Sequence, residues 1–256
     1  MQTLPGGLRT VTHDGEQDTV AVEEPLEIRC GEEPIAVTMR TPGHDEELAL
    51  GFFYGEGLID GPRAVGLTGD LANNTIVVAG PLTRTPAARR FYTTSSCGVC
   101  GKGAIDEVVV HSERLAQWSL APLHRTMLAG LPELLVQPGF ARTGGLHATG
   151  LFDAAGELLC VREDVGRHNA MDKVIGWALT GGLVPLSSNL LCVSGRLSFE
   201  LVQKAAVAGA PVLVGVGAPT SLAIELARDR NLTLCGFARN GRVNVYSGEH
   251  RVRAAV

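Results

Sequence analysis

Hydrophobic and polar positions change their period along this chain, and the change divides it. From Leu146 onward, short apolar runs alternate with segments whose apolar residues recur at helical spacing. Leu146–Asp153 and Glu157–Arg162 read as two strands joined by the turn Ala154-Ala155-Gly156. Gly166–Leu179 places Ala170, Val174, Ile175 and Ala178 on one face and predicts a helix. Asn189–Val193 predicts a strand, Leu197–Ala208 a helix, Pro211–Val216 a strand, and Pro219–Arg228 a helix with its proline near the first turn. Leu232–Gly236 and Arg242–Tyr246 predict closing strands. Such alternation predicts an α/β layer structure with helices on both faces of a sheet.

The first half has another pattern. Residues 1–22 are polar and predict a frayed end. Pro25–Arg29 and Pro34–Arg40 predict strands, joined at the hairpin signal Gly31-Glu32-Glu33. In Thr41–Tyr54, acidic Asp45, Glu46 and Glu47 precede apolar residues at helical spacing, which marks a helix start. Residues 60–90 are rich in Gly, Pro and Thr, with one strand at Thr75–Ala79. The expected division is a small β-rich region over 1–90, a flexible loop over 91–104, and an α/β domain over 105–256.

Composition adds mainly exclusions. The 256 residues are 45% hydrophobic and 19% charged, as in ordinary globular proteins. A net charge of -5 argues against bulk binding to nucleic acid. No apolar run is long enough to span a membrane, and the first 25 residues lack an apolar export signal. A cytoplasmic location is expected. The 32 glycines point to tight turns or close backbone approach to a ligand.

The candidate chemistry starts with Thr93-Thr94-Ser95-Ser96-Cys97-Gly98-Val99-Cys100-Gly101-Lys102. Small neighbours leave Cys97 and Cys100 accessible, and Lys102 favours thiolate. The pair allows a redox dithiol, half of a zinc site, or a sulfur-carrying nucleophile. Cys160, Cys192 and Cys235 sit in apolar runs and read as small buried hydrophobes, whereas Cys30 lies beside a turn. A structural zinc site lacks a second Cys-x-x-Cys. His44-Asp45-Glu46 followed by Cys97 and Cys100 matches part of the zinc deaminase signature. However, Ser96 stands where that signature has proline, and the gap is long; no zinc is expected.

Glycine and arginine also recur at strand–helix junctions. The turns are Arg142–His147, Asp164–Asn169, Ser194–Ser198, Gly215–Ser221 and Phe237–Arg242. Glycines admit backbone N–H groups to an anion, and arginines add charge. In open α/β sheets such turns gather at the carboxyl ends of strands. They point to a phosphate-bearing ligand. The competing reading pairs Arg167, Arg196, Arg239 and Arg242 with solvent or with Asp164, Asp172 and Glu200.

These motifs together resemble the formate dehydrogenase accessory sulfurtransferases, the FdhD family. The resemblance runs from about Pro25 to Ser247, through Thr41–Phe52, Ser95–Gly101, Thr143–His147, Glu163–Lys173, Ser194–Glu200 and Phe237–Arg242. It implies a three-layer α/β sandwich with a mixed sheet like the cytidine deaminase fold, plus the β-rich N-terminal region. It implies a sulfurtransferase that takes sulfur from a cysteine desulfurase as a persulfide on Cys97, with Cys100 as its partner. The sulfur then passes to the molybdenum bis-guanine-dinucleotide cofactor, needed by formate dehydrogenase. Phe237, Ala238, Arg239, Asn240, Gly241 and Arg242 match the segment that holds this cofactor, for which a guanine nucleotide would substitute. A homodimer is implied as well. The alternatives from other classes are a non-catalytic cofactor-binding chaperone and a zinc-dependent deaminase.

Overall fold

The computed structural model describes residues 3–4, 7–66, 74–84, 91–93 and 112–253. Its strands form three sheets. The first joins β1 (Thr3–Leu4), β2 (Leu8–His13) and β3 (Glu16–Ala21). This corrects the expectation of a frayed end over 1–22. The turn between β2 and β3 is Asp14-Gly15, both at positive φ (49° and 83°). That is the backbone of a tight hairpin turn whose twist matches its strands. The ladder from Leu8↔Ala21 to His13↔Glu16 satisfies the backbone without an apolar core of its own.

The second sheet has the order β6-β7-β4-β5-β8. Its central pair is β4 (Glu24–Cys30) and β5 (Glu33–Arg40), antiparallel as the hairpin signal predicts. β7 (Thr75–Val78) runs parallel to β4 and pairs with β6 (Val65–Gly66), while β8 (Phe91–Thr93) runs parallel to β5.

The third sheet carries the main domain. β9 (His147–Phe152) and β10 (Leu158–Asp164) are antiparallel; β11 (Leu190–Val193), β12 (Val212–Gly215) and β13 (Thr233–Arg239) are parallel; β14 (Arg242–Ser247) returns antiparallel. The order is β10-β9-β11-β12-β13-β14. Alternate residues point to opposite faces, and both faces are buried. Leu151, Leu191, Val193, Leu213 and Leu234 join the core of α4 (Arg167–Thr180), α5 (Phe199–Val207) and α6 (Ser221–Asp229). Phe152, Leu190, Cys192, Val212, Val214 and Cys235 face α2 (Arg125–Gly130) and the 3-10 turn Leu131–Leu134. The expected layers are therefore present. Short α3 (Pro138–Thr143) precedes β9, with proline at its first turn and Gly144 in the left-handed region after it.

Helix α1 (Asp45–Gly55) joins the two larger sheets. One side packs with Leu26, Ile28, Ile76 and Val78 of the second sheet. The other lies on α4, where Gly51 meets the backbone of Asp172 and Gly176 meets that of Glu47. Apolar residues on two sides explain why Leu48, Ala49, Leu50 and Phe53 are all buried.

Candidate functional site

Strand direction gathers the glycine and arginine turns. His147 at the start of β9 pairs with Asp164 at the end of β10. Val193, ending β11, pairs with Thr149 on one side and Gly215, ending β12, on the other. Arg239 and Arg242 face each other across the turn at the carboxyl end of β13. All five turns therefore lie along one edge of the sheet, as the open-sheet rule predicts.

Backbone hydrogen bonds join these turns. Gly217 N–H donates to Gly195 O at 3.0 Å, Leu197 N–H to Ala218 O at 3.0 Å, and Phe237 N–H to Gly217 O at 3.2 Å. A Cβ on Gly217 would lie 2.9 Å from the Arg196 backbone, so this glycine serves loop packing.

Within the predicted cofactor segment, Asn240 and Gly241 both have positive φ (51° and 70°), the backbone of a tight hairpin turn. Arg239, Asn240, Gly241 and Arg242 are exposed, while Ala238 is buried beneath them. Phe237 also has positive φ, 54°, and remains 38% exposed. A bulky residue in that region costs about 1–2 kcal/mol. Such strain persists where surrounding contacts over-determine the backbone, and here a ladder irregularity spans Gly236 to Arg239.

The charge distribution bears on the pairing half of the competing reading, while Arg196, Arg239 and Arg242 are exposed to solvent as its other half expects. Among the described residues, Arg167, Arg196, Arg239 and Arg242 form no ion pair. The carboxylates that would neutralise them are engaged elsewhere: Asp164 with Lys173 at 2.7 Å, Asp172 with Lys204 at 2.9 Å, and Glu200 with His168 at 2.7 Å. Arg167 Nε is buried without an acceptor among those residues. The edge thus carries several arginines without a salt bridge among the described residues, and Glu200 is a carboxylate there that acts on Arg167 electrostatically. His147, in the same place, is pushed below the ordinary imidazole range by burial and by Arg167, His168 and Arg196.

A buried polar network ties this edge to the N-terminal half. Asp164 accepts from Thr41 N–H at 3.1 Å, Gly166 N–H at 2.8 Å and Asn169 Nδ2 at 3.0 Å. Lys173 Nζ also donates to Thr41 O at 2.9 Å. Asn169 donates to Met39 O, and Thr38 Oγ1 donates to Asn169 Oδ1 at 3.2 Å. Thr38 is the strand partner of Thr93. Sequence reasoning gave these residues no such role; the available signal was two charges, Asp172 and Lys173, inside an apolar helix pattern.

Cys97 and Cys100 lie outside the described residues, as do residues 94–104 of the loop expected over 91–104, whose first three residues instead form β8. The other cysteines behave as expected from their apolar runs. Burial pushes the thiol of Cys160 up to about 11 and that of Cys235 to about 12, and raises Cys192 further. Cys30 is also raised, by burial and by Glu33. None of these favours thiolate at neutral pH. His44 sits 3.4 Å from Glu47, which in turn holds Arg162 through both oxygens at 2.6 and 2.8 Å. Among the described residues, no three His, Cys, Asp or Glu side chains form a group that could hold a metal. No described helix is long and apolar enough to cross a membrane.

Comparison with known proteins names a family. The chain is 48% identical to the sulfur carrier protein FdhD of Streptomyces avermitilis over 255 residues, covering 92% of this chain and 89% of that protein. It is 47% identical to the protein of the same name from Mycobacterium tuberculosis over 253 residues, covering 92% of each. A crystal structure from Desulfotalea psychrophila, provisionally described as a formate dehydrogenase accessory protein, superposes with a TM-score of 0.75 at 26% identity. The match covers 96% of this chain and 98% of that one. Residues 21–253 match the profile of the FdhD/NarQ family, and the chain belongs to that family.

Proposed function

We propose that this protein carries sulfur from a cysteine desulfurase to the molybdenum bis-guanine-dinucleotide cofactor destined for formate dehydrogenase. The observation that carries the reading is its likeness to proteins named as sulfur carriers over nine-tenths of its length. In this reading the Cys97 thiolate attacks the outer sulfur of the donor's persulfide. The donor's S–S bond breaks, its cysteine leaves as thiolate, and a new S–S bond forms on Cys97. Cys100, three residues on in the sequence, resolves or shares that persulfide. The cofactor is the substrate, held through Phe237–Arg242 at the cationic edge.

The fold supports bringing the two together. Thr93 is paired with Thr38, and Thr38 is hydrogen-bonded to Asn169 in the first turn of α4. Cys97 follows Thr93 by four residues, a span of at most about 14 Å. Thr93 therefore stands near the start of α4, beside Arg167. The reading includes a homodimer in the cytoplasm, and likens the main domain to the cytidine deaminase fold without deaminase chemistry.

The test is sulfur loading. The full chain is incubated with a cysteine desulfurase and cysteine, then its intact mass is measured. A one-sulfur adduct that Cys97→Ala abolishes is expected. Equal loading of Cys97→Ala would sink the assignment of the persulfide to that residue.

A further inference from the structure

His168 and Glu200 meet across two helix starts at the carboxyl edge. Each is the second residue of its helix, α4 and α5. His168 Nε2 lies 2.7 Å from Glu200 Oε2 and 3.3 Å from Ser198 Oγ. Ser198 is the N-cap of α5, yet its side chain accepts no hydrogen bond from that helix. A serine at that position ordinarily caps the first turn. Here it is turned toward the imidazole, together with the acidic residue of the same turn. His168 remains 25% exposed, and its Nδ1 has no hydrogen-bond partner among the described residues.

The charges around the ring are mostly positive. Arg167 lies beside it on α4, and His147, itself within reach of Arg196, stands at the start of β9. Asp164 and Asp172 are engaged by Lys173 and Lys204. Asp172 still acts on the imidazole electrostatically, but Glu200 is the carboxylate in contact with it, its own acidity increased first by that hydrogen bond. In the neutral ring, an Nε2–H donated to Glu200 leaves Nδ1 as a lone pair. Once protonated, Nδ1 becomes a second donor.

We infer that His168 is a ligand-binding residue of this edge: Glu200 and Ser198 hold its Nε2 so that protonated Nδ1 donates to a diphosphate of the nucleotide. The inference rests on the cofactor reading above. Glu200 is then a positioning residue that also supplies the counter-charge an imidazolium needs among arginines. A hydrogen bond of this charge-assisted kind to a phosphate oxygen is about twice as strong as a neutral one.

The experiment is calorimetric titration of the full chain at neutral pH with a guanosine diphosphate sugar and, in parallel, with guanosine. His168→Gln, which keeps one donor to Glu200, is expected to bind the diphosphate sugar about tenfold more weakly than wild type, as a charge-assisted hydrogen bond is lost, and to bind guanosine as wild type does. Glu200→Gln is expected to lose part of the same affinity. His250→Gln, at the other end of the domain, is expected to match wild type. Wild-type affinity for the diphosphate sugar in His168→Gln, or an equal loss for guanosine, overturns the inference alone. No binding of the diphosphate sugar by wild type overturns the nucleotide reading, and this inference with it.

Discussion

The crossing of α1 and α4 allows a prediction with a worked magnitude. A Cβ on Gly176 would lie 1.9 Å from the carbonyl oxygen of Glu47 and 2.7 Å from its carbonyl carbon. A carbon–oxygen contact needs about 3.3 Å, so Gly176→Ala must part the helices by about 1.4 Å. The obstacle is backbone, which cannot rotate aside. Both helices are packed on their far sides as well, so the displacement opens gaps there. Overpacking of this kind costs about 3 kcal/mol, and removing glycine from a helix interior returns about 1 kcal/mol. The net expectation is a loss of about 2 kcal/mol, or about 4–8 °C in melting temperature for a chain of this size. Urea denaturation checks it, with Gly181→Ala as the control. Gly181 has φ of -77° and its nearest contact would be 3.4 Å away, so that variant should stay within about 0.5 kcal/mol of wild type. Equal midpoints and slopes for the two variants would refute the steric argument.

Two further predictions concern the buried charges. Burial pushes the Asp172 carboxyl up to about 6, from an ordinary value of 3.8, although Lys204 pulls the other way. The folded state therefore holds that proton more tightly than the unfolded chain. Its stabilising contribution is full below the ordinary value and is lost as pH rises through about 6. Wild type should lose stability relative to Asp172→Asn across that window, and parallel pH curves for the two proteins would contradict this. Lys173→Met leaves Asp164 buried without its counter-charge and should cost about 3 kcal/mol or more in urea denaturation. Adding Asp164→Asn to that variant should recover part of the loss, and strictly additive losses would show that the two groups act separately.

The periodic part of the fold was legible. The strands and helices after Leu146 occur where the pattern places them, with ends displaced by one to three residues. β4, β5 and α1 were also marked, by a hairpin turn and an acidic first turn. The hairpin over 8–21 was not, because its residues are polar and only Asp14-Gly15 carries the turn signal. The short helices α2 and α3 were missed for a related reason: at six residues each, they are shorter than two turns, too brief for periodicity.

The candidate site divides the same way. Sequence alone determined which residue types were available: a close thiol pair, three apolar-run cysteines, and glycine–arginine turns spaced along the chain. It also determined the family, because several long motifs recur in one order. Only the tertiary structure decided that the turns share one edge, since that depends on which strands run parallel. Only it decided that these arginines form no salt bridge among the described residues, because Lys173, Lys204 and His168 reach the nearby carboxylates from helix positions. It also placed Thr93 beside the α4 end of that edge, through Thr38 and Asn169, residues separated by 131 positions in the chain. Local pattern fixes an element's type through backbone geometry and burial. Charge pairing between distant residues is settled by packing, and no local pattern records it.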